Sequence, residues 1–544
     1  MKLKFVVALL ALTMPTLPAV AQPRSEPPRL IVAIAVDQLS SDLFTQYRQH
    51  FTGGLQRLSR GVVFPAGYQG HAATETCPGH STILTGSRPA RTGIIANNWF
   101  NLGAEREDKY IYCSEDPRVA GSSSRNYTVS PYHLRVPTLG DHMRRADPNS
   151  RTVAVAGKDR AAIMMGGRDP AQRWWWGGRE FVSHSGTSLP EAVRLINGNI
   201  ALALAAPREA MALDPICQPR SRAVPIEGGN TSVGTGRFAR EAGDRNGYRA
   251  SPEFDGAVLA LAVALRDELR LGEGPATDLL AIGLSASDYV GHSFGTEGAE
   301  MCLQLLALDR ALGDFFGYLD GTGIDYVLML TSDHGGHDIP ERIRQQAGAQ
   351  AARVDPALNA RAMGEAIGRQ LGIPGQPLFG DGAFGDIYAS RDLSPTRRRR
   401  VLAEAVRAYR AHPQVEAVFT KAEIAAVPSP AGPPDGWTLI ERARTSFDPE
   451  RSGDIYVMLK PWVTPIAEPG RGYTATHGSP WDYDRRVPIL FWRRGLVPFE
   501  QPLAVETADI LPTLAPLIGL TIAAGTIDGR CLDLVEGPDT SCPQ

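Results

Sequence analysis

Arg29-Leu-Ile-Val-Ala-Ile-Ala-Val36, closed by a lone Asp37, is the stretch whose reading decides the fold. A run this apolar, with no polar residue at every second position, has no face to offer to water. It therefore reads as a strand of a parallel sheet that is covered on both sides. Similar runs occur at Thr152 to Ala156, Leu279 to Leu284, Tyr326 to Leu330 and Val487 to Trp492. Helical patterns lie between them. From Thr296 to Leu319, the residues Met301, Leu305, Leu308, Leu312, Phe315 and Leu319 recur at three- and four-residue steps. Ser251-Pro252-Glu253 opens another helix, which continues through Ala257 to Leu269. Strands alternating with helices predict an α/β fold, a doubly wound α/β/α sandwich, in which ligands gather beyond the carboxyl ends of the strands.

A chain of 544 residues exceeds one simple core, so a large catalytic domain carrying an insertion is expected. Residues 22–339 form the first part of that domain, with cover segments at about 99–150 and 162–250 that are rich in Gly, Ser, Pro and aromatic residues. Residues 340–470 read as a smaller inserted α+β subdomain, and 471–544 complete the catalytic domain. Gly385-Asp-Ile-Tyr388 and Gly453-Asp-Ile-Tyr456 match each other but are too short to mark a repeat architecture.

Composition is ordinary for a globular protein, and a formal net charge of -3 supplies no field for a polyanion. Arg397 to Arg400 follow Ser394-Pro395 and read as the solvated first turn of a helix, so no nucleic-acid-binding surface is expected. Residues 1–21 read as a signal peptide: Lys2 and Lys4, an apolar Phe5 to Leu12, and Ala19-Val20-Ala21 before the cut. A periplasmic or secreted protein follows, with no membrane anchor, because no later apolar run spans a bilayer. Export permits disulfides among Cys77, Cys113, Cys217, Cys302, Cys531 and Cys542. The pair Cys531 and Cys542 is close in sequence and is expected to be bonded; the other four leave the pairing open.

The chemistry lies where apolar runs end. Asp37 follows the first strand, Thr331-Ser332 leads the fourth into Asp333-His334, and the third precedes Asp288-Tyr-Val-Gly-His292. With the late His477 these residues make a set of carboxylate and imidazole ligands for two metal ions, and the absence of thiolates suits zinc in an incompletely closed catalytic site. Thr76, in Thr76-Cys-Pro-Gly-His80, is the candidate nucleophile, since coordination to a divalent cation would stabilise its alkoxide. Thr74 stands as an alternative, and Thr76 as a mere helix cap is the competing structural reading. Lys158 and Arg160 read either as phosphoryl ligands or as a charged turn after a strand. Trp174 to Trp176 either wall a pocket or lie buried beneath the cover. Calcium would suit the acidic loops, but no EF-hand spacing occurs and no site is assigned.

Thr76-Cys-Pro-Gly-His80, Ile95-Ala-Asn-Asn98, Gly157-Lys-Asp-Arg160, Asp333-His-Gly-Gly336 and His477 together resemble the alkaline phosphatase superfamily, and within it the phosphate-irrepressible, PafA-type alkaline phosphatases that use threonine. The resemblance runs from Asp37 to Asp509-Ile-Leu-Pro-Thr-Leu514. It implies an alkaline phosphatase-like sandwich with one zinc on Asp288, His292 and His477 and the other on Asp37, Thr76, Asp333 and His334. It also implies that Asn97, Lys158 and Arg160 contact phosphoryl oxygens. The expected protein is a monomer that hydrolyses small-molecule phosphate monoesters through a phosphothreonine. Alternatives are a phosphodiesterase or nucleotide pyrophosphatase of the same superfamily, and a non-catalytic exported metal-binding protein. Cys77 resembles the sulfatase cysteine, but the Arg that completes the sulfatase pattern is missing. His80 and His337, outside the family's ligand set, are expected to hydrogen-bond behind the ligands or to lie at the surface.

Overall fold

The computed structural model describes residues 26–544 apart from 185, 229, 230, 347, 349, 536–539 and 544, so the expected signal peptide at 1–21 lies outside the described residues. The strands that carry the architecture are β1 (Leu30–Val36), β2 (Val62–Tyr68), β3 (Asn98–Phe100), β4 (Tyr110–Tyr112), β5 (Thr152–Ala156), β6 (Gln172–Trp176), β7 (Phe181–Val182), β8 (Asp278–Leu284), β9 (Tyr326–Thr331) and β10 (Arg486–Arg493). The principal helices are α1 (Thr76–Ile83), α2 (Asp159–Gly166), α3 (Pro252–Leu269), α4 (Ala286–Phe294), α5 (Ala299–Gly321) and α6 (Ile510–Leu517).

One large sheet has the spatial order β2–β10–β9–β1–β8–β5–β6–β7, with short strands Phe499–Glu500 and Val505–Glu506 beside β2. β1 lies at its centre, parallel to both β8 and β9, and β5 and β6 extend the parallel array. All seven residues of β1 are buried. Leu30, Val32, Ile34 and Val36 enter one core with α3 and α5, while Ile31, Ala33 and Ala35 enter a second with Ile83 of α1 and Leu511 and Leu514 of α6. An unbroken apolar strand is therefore needed: its two faces belong to two cores, each Val, Leu or Ile side chain contributing about 1.5–3 kcal/mol on burial.

Two expectations are corrected. The run at Val487 to Trp492 is a strand, but β10 pairs antiparallel with both β9 and β2, so it is apolar for burial and not for parallel pairing. The region at 162–250 is not simply irregular cover. It includes the central-sheet strand β6, whose Trp174, Trp175 and Trp176 are buried, and a helix at Glu191–Ala205.

Between 340 and 470 the chain builds a separate antiparallel sheet from Leu378–Gly380, Gly385–Ala389, Ile455–Leu459 and Val415–Thr420, covered by helices Ala360–Leu371 and Pro395–Ala411 around their own apolar cluster. Among the described residues the six cysteines form Cys77–Cys113, Cys217–Cys302 and the expected Cys531–Cys542. No described helix is long and apolar enough to cross a membrane.

Candidate active site

The carboxyl edge of the sheet gathers the polar residues that the sequence strands there. Asp37 leaves β1 with its N–H still paired to Leu284 O, and Gln38 then adopts a left-handed φ of +65°. This turn aims the Gln38 N–H at Asp333 Oδ1, 3.2 Å away, and ties the exits of β1 and β9 together. Asp288 and His292 lie four residues apart on α4, hence on one helical face. Lys158 caps the entry to α2, Arg160 sits in its first turn, and Thr76 is the first residue of α1.

Three imidazoles have their orientation fixed from behind. His292 Nδ1 lies 2.8 Å from Ala475 O, His477 Nδ1 2.8 Å from Thr74 O, and His334 Nδ1 2.8 Å from Gly335 O. A carbonyl accepts only, so each Nδ1 carries a proton and each Nε2 is the nitrogen left to face a metal ion, to which it would bind deprotonated. The Nε2 atoms of His292 and His477 point at Asp288 Oδ1 from 3.4 and 3.3 Å. His334 stacks on His477 at 3.5 Å between ring centroids, its Nε2 3.2 Å from Asp333 Oδ2 and 3.9 Å from Asp288 Oδ1.

Two groups of buried ligand atoms result. Asp288, His292 and His477 bring one atom each within 4.8 Å of one another, and so do Asp37, His80 and Asp333. His334 stands between the two groups. His80 is the residue that sequence reasoning undervalued: fully buried, it places Nε2 3.3 Å from Asp37 Oδ1 and Nδ1 3.3 Å from Asp333 Oδ2. The signal was its i, i+4 spacing from Thr76, which sets both on one face of α1. His337 is also buried, with Nε2 3.0 Å from Thr464 Oγ1.

Counting protein groups alone, the field is strongly polarised. Burial raises the Asp288 carboxyl, but Lys158 and His292 outweigh it and hold the group well below the usual range. Asp333 is likewise held low against its burial, by His334 and His80. Burial pulls His80 down, yet Asp333 and Asp37 push it up to about 10. His477, buried beside His334, is lowered to about 4 and stays neutral.

Thr76 is 1% exposed and its hydroxyl makes no cap to α1, whose cap position is Glu75. Lys158 Nζ and Arg160 Nη2 each lie 3.4 Å from Thr76 Oγ1, and Lys158 also pairs with Asp288 Oδ2 at 2.6 Å and Asp37 Oδ2 at 2.9 Å. Thr74 is otherwise engaged, its hydroxyl donating to Ser479 O at 2.7 Å. Asn97 is clamped on three sides: its N–H donates to Glu75 Oε2, its carbonyl accepts from Cys113 N, and its side-chain oxygen accepts from Cys77 N. With that oxygen occupied, its amide NH₂ is the end available to an anion. The Cys77–Cys113 bond excludes a sulfatase-type role for Cys77.

Fold and site together define a doubly wound α/β enzyme in which buried carboxylates, imidazoles and two cations converge on one threonine hydroxyl. Residues 31–480 match the family model described as type I phosphodiesterase / nucleotide pyrophosphatase. The chain belongs to this family, and its full-length relatives set it within the alkaline phosphatase superfamily. It is 58% identical over 520 residues to alkaline phosphatase PhoK of Sphingomonas sp, covering 95% of this chain and 93% of that one. Alkaline phosphatase PhoD of Zymomonas mobilis is 48% identical, with 95% and 89% covered. The crystal structure of alkaline phosphatase PafA superposes with a TM-score of 0.81 at 25% identity, covering 95% of this chain and 100% of that one.

Proposed function

We propose that the protein is an exported alkaline phosphatase, a phosphoric monoester hydrolase that uses two zinc ions and a Thr76 nucleophile and releases inorganic phosphate through a phosphothreonine intermediate. The convergence of Lys158 Nζ and Arg160 Nη2 on Thr76 Oγ1 carries the reading. Two fixed cations beside a hydroxyl favour a group whose charge is spread over several oxygens, and a monoester dianion offers one more charged oxygen than a diester.

The ligand set fits zinc. It is made of carboxylates and imidazoles, and the buried Asp288 Oδ1, Asp333 Oδ2 and His334 Nε2 have no hydrogen-bond partner among the described residues. Asp288, His292 and His477 would hold one ion; Asp37, Thr76, Asp333 and His334 the other, with His80 3.3 Å from both Asp37 Oδ1 and Asp333 Oδ2. When bound, the ions supply positive charge that favours the Thr76 alkoxide and polarises the phosphoryl group.

Thr76 Oγ1 attacks phosphorus in line with the ester oxygen. The Thr76 O–P bond forms as the ester P–O bond breaks, the hydroxyl proton passes to solvent, and the alcohol departs with a proton from solvent. Throughout, the Asn97 amide, Lys158 and Arg160 donate to the non-bridging oxygens. Water then attacks from the side the alcohol left, the Thr76 O–P bond breaks, and the hydroxyl regains its proton.

Thr76→Ala is expected to abolish turnover while zinc content, measured by elemental analysis, stays close to wild type. Normal turnover would exclude this nucleophile. The family description favours a second reading, a phosphodiesterase or nucleotide pyrophosphatase. Comparing an aryl phosphate with an aryl methyl phosphate separates the two: in a monoesterase, Lys158→Ala and Arg160→Ala damage the monoester reaction selectively. A dominant diester rate insensitive to both changes would overturn the monoesterase reading.

The leader-like residues 1–21 and the three disulfides support export. The separate apolar cluster between 340 and 470 supports the division into a catalytic domain, 22–339 with 471–544, and an inserted subdomain. A monomer acting on small-molecule phosphate esters is the working assembly.

A further inference from the structure

Arg160 is held from behind as well as aimed forward. Its Nη2 faces Thr76 Oγ1, while Nη1 donates to the Tyr112 hydroxyl at 3.3 Å. The same hydroxyl donates to Asp159 Oδ1 at 2.7 Å, and Tyr127 donates to Asp159 Oδ2 at 2.9 Å. Asp159 Oδ1 also accepts the Arg160 backbone N–H at 2.7 Å. The Tyr112 hydroxyl thus acts as acceptor and donor at once, linking the guanidinium to a carboxylate that its own chain fixes. Tyr112 is 8% exposed, its ring 4.6 Å from that of Tyr127.

The backbone reinforces the link. Tyr112 ends β4 and pairs with Asn98 at the start of β3, so one hairpin carries both Tyr112 and the neighbouring Asn97. The next residue, Cys113, is disulfide-bonded to Cys77, which adjoins Thr76. Tyr112, Asn97 and the threonine hydroxyl are thereby locked into one frame. Arginine has a long, rotamer-rich stem, and a charge already fixed where negative charge develops needs no reorganisation during reaction.

We propose that Tyr112 is a positioning residue for monoester selectivity, holding Arg160 toward the phosphoryl oxygen that a diester covers with an organic group. The inference rests on the reading of Thr76 as nucleophile and Arg160 as its phosphoryl ligand. A purely structural tyrosine would serve both ester classes equally; one that orients Arg160 serves only the monoester.

Tyr112→Phe retains the ring and deletes the hydroxyl. In the zinc-loaded full-length enzyme, kcat/KM for an aryl phosphate monoester is expected to fall about 10- to 100-fold. The value for the matching aryl methyl phosphate diester should change less than about threefold. Inhibition by inorganic phosphate should weaken in parallel with the monoester loss, a readout independent of turnover. In the Arg160→Ala background, Tyr112→Phe should cost the monoester little more, because the group it orients is gone. Equal losses on both esters, or additive losses in the double variant, would overturn the proposal. If Arg160→Ala is selective and Tyr112→Phe is not, Tyr112 alone is misread; if Arg160→Ala itself slows both esters alike, the assignment of Arg160 fails and takes the Tyr112 proposal with it.

Discussion

Asp288 and Asp509 are equally buried aspartates with opposite fates, decided by their neighbours. At Asp288 burial works against ionisation, but Lys158 and His292 overcome it. At Asp509 burial also comes first and Glu506 adds to it. Backbone N–H bonds from Arg530 and Glu506 compensate only in part, and the carboxyl is pushed up to about 7. Its folded-state value lies above that of an exposed aspartate, near 3.9. Folding therefore takes up a proton between about pH 4 and pH 7, and stability falls as pH rises through that window. The residue matters to the site because its turn presents Thr507 to Thr82 on the rear of α1, 2.8 Å between hydroxyl oxygens. Asp509→Asn keeps one acceptor of two but cannot ionise. In denaturant titrations the wild type's advantage over the variant should shrink as pH is raised from about 4 to about 8. A gap that does not change with pH would refute this account of Asp509.

At the scale of elements, α1 must lie against the end of β9 if Thr76 is to reach Asp333, and Gly79 allows it. A Cβ at this position would collide with the Asp333 carbonyl oxygen and come within 2.9 Å of the Asp333 Cα. On helix propensity alone Gly79→Ala should stabilise α1, by about 1 kcal/mol. The contact reverses the sign, since backbone at a sheet exit cannot yield as a flexible side chain can. We expect Gly79→Ala to lower kcat/KM at least about 100-fold by displacing the hydroxyl from its partners. Near-wild-type activity would show that α1 has room to shift. Legibility in the sequence follows the same division. β1, β5, β8 and β9 were readable because each is an aliphatic run that stops within a residue or two of a polar side chain, and the same feature singled out the candidate site residues Asp37, Lys158 and Asp333. β2 was not, because Pro65 and Gly67 read as breakers. The pairing of β2 with β10 shifts register between Val487 and Ile489, opposite this segment, which is where a strand tolerates proline. β6 hid behind its three tryptophans, which suggested a cover and not a strand. The i, i+4 spacing put His80 on the Thr76 face of α1, but its contact with two strand exits, like the hairpin that brings Tyr112 back to Arg160, became visible only in three dimensions.

Across the whole molecule, the two ligand groups join segments that are remote in sequence. Asp37 follows the first strand, Asp288 and His292 sit on α4, Asp333 and His334 follow β9, and His477 lies in the chain after the last strand of the separate antiparallel sheet, Ile455–Leu459. Among the described residues Lys158 and His80 reach these carboxylates, yet several of the buried carboxylate oxygens still have no hydrogen-bond partner there. Leaving such atoms uncompensated is costly, and a buried cation shared between them offsets that cost. Cations that bind the folded chain and not the unfolded one stabilise it by mass action, about 2.7 kcal/mol for each ion at a hundredfold excess over Kd. Because these groups draw on positions from 37 to 477, this stabilisation belongs to the large-sheet fold as a unit and not to one loop. Exhaustive chelation should therefore lower the Tm of the main calorimetric transition by at least about 5 °C, and added zinc should restore both the Tm and monoester turnover. Loss of turnover with no change in Tm would mean that the ions are held by a local surface cluster, contrary to a site that ties the exits of β1, β8 and β9 to the loop at His477.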